Sequence, residues 1–214
     1  MTKTLIVGDL HGKSDIVKRS LDQECPVIFL GDIFDSFDKP KTEHFLCMDL
    51  ILEAIDKGKA QCLYGNHELS YLIPKMICSG WNAPTAAKVL GGYGEAMRKH
   101  FKHYLFFKPN LLITHAGLDQ TYWNYCGLNL DNLEDTLANW VTDENSPAYN
   151  IGRFRGGHDP VGGIFWCDFT HEHTPIEGLT QIFGHTAGKT LRRKDESYCI
   201  DYLDHSSVPF YWEI

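Results

Sequence analysis

Apolar residues in the first third of the chain fall in short blocks, each closed by glycine and then an acid or an amide. Leu5-Ile6-Val7-Gly8-Asp9-Leu10-His11-Gly12 is followed by Val27-Ile28-Phe29-Leu30-Gly31-Asp32 and Cys62-Leu63-Tyr64-Gly65-Asn66-His67. A short apolar run bounded by a turn reads as a fully buried strand. Between the blocks the period lengthens. Lys13–Glu24 places Ile16, Val17, Ser20 and Leu21 near one face, and Pro26 closes the turn into the second strand. Lys41–Lys57 carries Phe45, Leu46, Met48, Asp49, Leu52 and Ile55 at helical spacing, with Gly58 as its stop. Strand–helix–strand–helix–strand with buried strands predicts a parallel α/β arrangement.

Beyond the third block, His67 to Lys108 is helical in pattern but broken by Pro74, Gly80, Pro84 and Gly91-Gly92, which predicts a helical insertion or cap around 68–108. Gly91-Gly92-Tyr93-Gly94 reads as a loop. Leu111–His115 is a fourth buried strand ending in a polar residue, and Asp131–Val141 a short helix. Ser146–Gly163, rich in Gly, Pro and Arg, reads as a long functional loop. Ile164-Phe165-Trp166, Gln181-Ile182-Phe183, Tyr198–Leu203 and Val208–Ile214 read as strands without intervening helices, predicting a second, more antiparallel sheet. No repeat, low-complexity tract or linker interrupts the chain, so one domain over 1–214 is expected.

Composition narrows this picture. With 214 residues, 43% hydrophobic and 22% charged, the chain has the makeup of an ordinary globular protein with room for a two- or three-layer core. A net charge of −8 argues against broad binding to nucleic acid or anionic membranes, which needs a basic field. Seven cysteines, an odd number without C-x-x-C spacing, argue against a disulfide framework. The N-terminus enters a strand at once, and no segment has the apolar length to span a bilayer. A reducing, cytoplasmic setting is the expectation.

Polar residues collected at the predicted strand ends are Asp9, His11, Asp32, Asn66, His67, His115 and His185. In open α/β sheets ligands gather beyond the carboxyl ends of the strands. Carboxylate, imidazole and amide oxygen suit a borderline or hard divalent cation such as Mn, Fe or Zn rather than a thiolate site. The ligands suffice for two ions, and a shared carboxylate can hold two about 3.5–4 Å apart, activating water and stabilising charge in phosphoryl transfer.

Gly8-Asp9-Leu10-His11-Gly12, Gly31-Asp32-Ile33-Phe34-Asp35, Gly65-Asn66-His67-Glu68, Thr114-His115-Ala116-Gly117-Leu118 and Gly184-His185-Thr186 together resemble the ordered motifs of calcineurin-like metallophosphoesterases. The Gly-Asn-His-Glu version resembles the phosphoprotein phosphatase branch, including its small bacterial and phage serine/threonine phosphatases. Tyr198-Cys199-Ile200-Asp201 is similar to the strand after the last motif of that branch. The resemblance implies an α/β fold of two packed mixed sheets flanked by helices, an αββα sandwich. It also implies two divalent metal ions, manganese first, with iron or zinc as alternatives. Asp9 and His11 would bind the first ion, Asp32 would bridge, and Asn66, His115 and His185 would complete the second. His67 would be the general acid and Asp35 the carboxylate that holds it. The implied reaction is hydrolysis of a phosphate monoester by direct attack of a bridging hydroxide, on a phosphoprotein or a small phosphoester.

The sequence departs from the branch in one place. An arginine that grips substrate phosphate is expected directly after Asp35, where Ser36 and Phe37 stand. Arg153 and Arg155 in the glycine-rich loop are the candidates to replace it, with Lys39 and Lys41 behind them. The departure keeps open a dinucleoside polyphosphate hydrolase or nucleotide phosphodiesterase. A catalytically silent binding protein on the same fold is the reading of another class, and the intact acid, amide and imidazole set argues against it. Gly188-Lys189-Thr190 lacks the upstream glycine of a P-loop. His171-Glu172-His173 reads as a solvated loop, and Tyr122, Trp123 and Tyr125 as either core or groove. Oligomeric state is not written in these patterns.

Overall fold

Apolar β-branched and aromatic runs assemble two mixed sheets in the computed structural model, which describes residues 2–36, 38–204 and 209–214. The chain divides into two compact units, Met1–Lys102 with Ser206–Ile214, and His103–His205.

The first unit opens with β1 (Lys3–Val7), α1 (Ser14–Leu21), β2 (Val27–Phe29), α2 (Lys41–Asp56) and β3 (Ala60–Cys62). The three strands run parallel in the order β3-β2-β1, with Leu5 opposite Val27 and Phe29 opposite Cys62. Every residue of β2 is buried, and each such apolar side chain contributes roughly 1.5–3 kcal/mol. Helix α2 buries His44, Cys47, Met48, Ile51 and Ala54, the three-and-four spacing of a core-facing stripe. The third strand is displaced from its expected position. Pairing ends at Cys62, Leu63 makes one bridge to Lys102, and Asn66 already heads helix α3 (Asn66–Leu72). Helices α4 (Ala83–Lys88) and α5 (Gly94–His100) complete the helical stretch. Gly91-Gly92-Tyr93, expected as a loop, is a widened helical join kinked at Gly92, whose φ of +141° suits glycine alone.

The second unit holds β4 (Leu105–Phe107), β5 (Leu111–Ile113), α6 (Gln120–Tyr125), α7 (Leu133–Trp140), β6 (Thr180–Phe183), β7 (Arg192–Lys194) and β8 (Ser197–Cys199). The sheet order is β4-β5-β6-β8-β7. Its three central strands are parallel and only the two edges antiparallel, so the sheet is less antiparallel than expected. Buried Gln181 ties β6 to the segment that follows β5, its amide pairing with both the N–H and the carbonyl of Leu118. Ile164-Phe165-Trp166 is a turn instead of a strand. The N–H groups of Trp166 and Cys167 both reach the Gly163 carbonyl, and burial of Phe165 accounts for the apolar run.

The chain closes with β9 (Phe210–Glu213), antiparallel to β1 with Leu5 opposite Tyr211. This strand was expected in the second sheet but belongs to the first unit; Val208, at its expected start, lies outside the described residues. All seven cysteines are unbridged. Among the described residues no helix is long and apolar enough to cross a membrane.

Candidate active site

Parallel strands in register bring their exit turns together. The N–H groups of Leu10 and His11 both donate to the Asp32 carbonyl, at 3.1 and 2.6 Å, and that of Gly12 to Ile33 at 3.0 Å. Two glycines let the next turn approach. A Cβ on Gly65 would lie 2.1 Å from Asp32 Oδ1, and one on Gly31 2.3 Å from the Gly65 nitrogen. His11, Asp32 and Asp35 take φ values of +42°, +49° and +63°, and His185 one of +67°. Side chains other than glycine seldom occupy that left-handed region, and strain of this kind collects at functional sites.

Glu68 holds the turns in place. It is fully buried and accepts four backbone hydrogen bonds: Oε2 from Gly65 (3.0 Å) and Asp32 (2.8 Å), Oε1 from Ile33 (2.8 Å) and Phe34 (3.3 Å). The bond to Gly65 also caps α3 in the reach-back manner of a Glu at the third helical position. Burial, with Asp32 nearby, raises the Glu68 carboxyl to about 7. The sequence marks Glu68 only as a member of its motif, because its four backbone partners come together on folding.

The side chains carried by these turns converge. His11 Nδ1 lies 2.8 Å from the Phe34 carbonyl, which fixes it as the protonated nitrogen and leaves Nε2 facing Asp32 Oδ2 at 3.7 Å. Asp32 Oδ1 accepts from the His67 backbone N–H at 3.1 Å. His11, Asp32 and His67 each offer a ligand-type atom, all within 4.8 Å of one another. Asp9, buried, stands at the exit of β1. The Asn66 amide nitrogen donates to Cys78 Sγ at 3.2 Å, an orientation that presents the amide oxygen elsewhere. Burial pushes the Cys78 thiol up to about 12, so it is a partner to that amide and no thiolate ligand.

His67 Nδ1 is 3.0 Å from Asp35 Oδ2. Burial works against a charged imidazole here, yet Asp32 and the Asp35 hydrogen bond outweigh it and lift the His67 pKa to about 9. The ring stands edge-on to His11, with centroids 5.0 Å apart.

In the second unit, β5 and β6 deliver His115 and His185 from adjacent parallel exits, and the Gly184 N–H donates to the His115 carbonyl at 2.7 Å. Their facing nitrogens, His115 Nε2 and His185 Nδ1, are 3.2 Å apart in buried surroundings. Arg155 secures this turn: Nη2 reaches Asp168 Oδ2 at 2.9 Å, Thr186 Oγ1 at 2.8 Å and the His185 carbonyl at 3.3 Å. Arg153, Lys39 and Lys41 are exposed. The 171–173 segment is not the solvated loop expected from its polarity. Glu172 accepts from the N–H groups of Phe154, Gly162 and Asp168, while His173 is buried against Phe169 and Phe183. Tyr122 is core, donating to the Val161 carbonyl at 2.9 Å, whereas Tyr125 is exposed.

The calcineurin-like phosphoesterase profile matches residues 2–195. The chain belongs to that family. No curated protein matches it. In fold it is similar to a cold-active protein-tyrosine phosphatase of a psychrophilic Shewanella species, at 18% identity and TM-score 0.60, over 94% of this chain and 71% of that one. It is also similar to a protein serine/threonine phosphatase from Saccharomyces cerevisiae, at 13% identity and TM-score 0.51, over 93% of this chain and 66% of that one. The calcineurin-like family uses a dimetal centre, and the donors present fit divalent cations. They are oxygen and imidazole nitrogen without thiolate, one His11 nitrogen already spent on a carbonyl, and two buried imidazoles with facing nitrogens.

Proposed function

We propose that this chain is a metal-dependent phosphatase that hydrolyses phosphate monoesters, of the serine/threonine protein phosphatase type. The observation that carries the reading is the His67–Asp35 pair, 3.0 Å apart, set beside the His11–Asp32 cluster. Two divalent cations, manganese first, would be held by Asp9, His11, Asp32, Asn66, His115 and His185, with Asp32 as the shared ligand. Bound there, they supply an activated water and neutralise the phosphoryl oxygens.

The chain's own residues do the rest. Asp35 holds His67 through Nδ1 and leaves Nε2 to pass a proton to the departing oxygen. The Asn66 amide is turned by Cys78 so that its oxygen is the donor atom. Glu68 keeps the Asp32 and Asn66 turns at a fixed separation. Arg155 is committed to Asp168 and Thr186, so its part is to seat the His185 turn, and the phosphate grip falls to exposed Arg153.

The commitment of Arg155, and Ser36 where a gripping arginine was expected, favour one second reading, a hydrolase of dinucleoside polyphosphates. Phosphoserine peptide and diadenosine tetraphosphate, assayed side by side with Mn²⁺, separate the two. Preference for the peptide supports the phosphatase, and turnover of the dinucleotide alone replaces it.

A further inference from the structure

Asp35 is a buried carboxylate with two oxygens, and the His67 ring uses only Oδ2. Its other oxygen, Oδ1, accepts from the Tyr71 phenol at 2.5 Å and from the Asn82 side-chain amide at 3.3 Å. The direction of these bonds is determined. Asn82 Oδ1 accepts from the Thr85 N–H at 3.0 Å as the cap of α4, so its amide nitrogen faces Asp35 and Tyr71. The Tyr71 oxygen in turn accepts from the Asn82 backbone N–H at 3.1 Å and from its amide at 3.2 Å, which leaves the single phenolic proton for Asp35.

Packing holds the phenol in this position. Tyr71 follows His67 by four residues on α3, so both side chains leave the same face. The Tyr71 ring lies edge-on to Phe34 and stacked on Trp81, each with centroids 5.8 Å apart. The segment between α3 and α4 passes close to Asp35: a Cβ on Gly80 would sit 2.9 Å from Asp35 Cβ. Burial and the Asp35 bond raise the Tyr71 pKa, so the phenol keeps its proton and remains a donor.

We infer that Tyr71, braced by Asn82, is a positioning residue for proton donation: it occupies Asp35 Oδ1 so that Oδ2 alone fixes the His67 ring and its tautomer. The inference deepens the phosphatase reading and rests on it. A carboxylate held on one side cannot rotate away from the imidazole. Losing the phenol therefore leaves the proton-donating ring less firmly aimed, at a cost that grows for substrates whose leaving oxygen needs a proton most.

The test uses the Mn²⁺-loaded protein and Tyr71→Phe, which keeps the ring between Phe34 and Trp81. kcat is measured over a series of aryl and alkyl phosphates of rising leaving-group pKa. The expected loss grows along the series and reaches ~10-fold for alkyl phosphates, the lower end of what supporting hydrogen bonds are worth. In parallel, the His67 Nδ1 proton, identified by its absence in His67→Asn, is followed by NMR in the metal-free protein. It is expected to shift in Tyr71→Phe. An equal loss along the whole series, or an unmoved resonance, overturns the inference. A wild-type protein that hydrolyses no phosphoester instead removes the phosphatase reading, and the resonance then still decides whether Tyr71 acts on His67 through Asp35.

Discussion

His67 and Asp32 sit next to one another and their side chains carry separable tasks. His67 is held by Asp35 through one ring nitrogen, and Asp32 faces His11 and the start of α3. Replacing His67 with Asn is expected to leave manganese content near wild type while turnover of a phosphoserine peptide falls ~10²–10⁴-fold, the usual worth of general acid catalysis. Metal analysis alongside a steady-state assay checks this, and unchanged turnover would remove the assigned role. Asp32→Asn is expected to lower the occupancy of both ions, since a shared ligand serves each; loss of one ion alone would show that Asp32 is not shared. Both residues were legible in the sequence, because a strand-like run ending in Gly-Asp or Gly-Asn-His is a local pattern. Tyr71, Asn82 and Cys78 were not. Their partners Asp35 and Asn66 lie 12 to 47 positions away, and nothing in a tyrosine or a cysteine announces which carboxylate or amide it will meet.

At the level of elements, turns rather than strands shape the site. The parallel pairing of β1, β2 and β3 was readable from three buried apolar runs, and so was the helical period of α1 and α2. The end of β3 was misplaced because Leu63 and Tyr64 are buried without belonging to the sheet, and apolar character reports burial, not pairing. The same ambiguity produced a strand at Ile164–Trp166. Polar β7 escaped notice since Arg192-Arg193-Lys194 shows no apolar alternation. Glu68 is the test of the turn architecture. Glu68→Gln cannot accept four backbone bonds with one oxygen, and Glu68→Ala accepts none. Leaving buried N–H groups unpaired costs about 1–3 kcal/mol each at most. Chemical denaturation is expected to show Glu68→Ala destabilised by several kcal/mol, with Glu68→Gln between it and wild type. Equal stability of all three would mean that the turns stand without this clamp.

For the whole molecule, acid sensitivity follows from buried His173 and half-buried His103, both away from the ligand set. His173, packed on Phe169 and Phe183, and His103, edge-on to Phe165, are both held down to about 4 by burial; for His173 Asp119 opposes the shift and Lys194 adds to it. In the unfolded chain each would titrate at the ordinary imidazole value of 6.5. The unfolded state therefore binds more protons between pH 6.5 and 4, and stability falls as pH drops through that window. His173→Phe, which keeps an aromatic ring in place, is expected to flatten the fall in Tm between pH 7 and pH 5. An unchanged slope would show that His173 is not its source. The net charge of −8 supplies no broad basic field to gather anions.

The most direct test of the central claim is hydrolysis of p-nitrophenyl phosphate and bis(p-nitrophenyl) phosphate by the purified protein, with Mn²⁺ and with a chelator. Hydrolysis of the monoester in Mn²⁺, faster than that of the diester and lost on chelation, is the predicted result. A protein that binds Mn²⁺ yet hydrolyses neither ester, or hydrolyses only the diester, would contradict the phosphomonoesterase account.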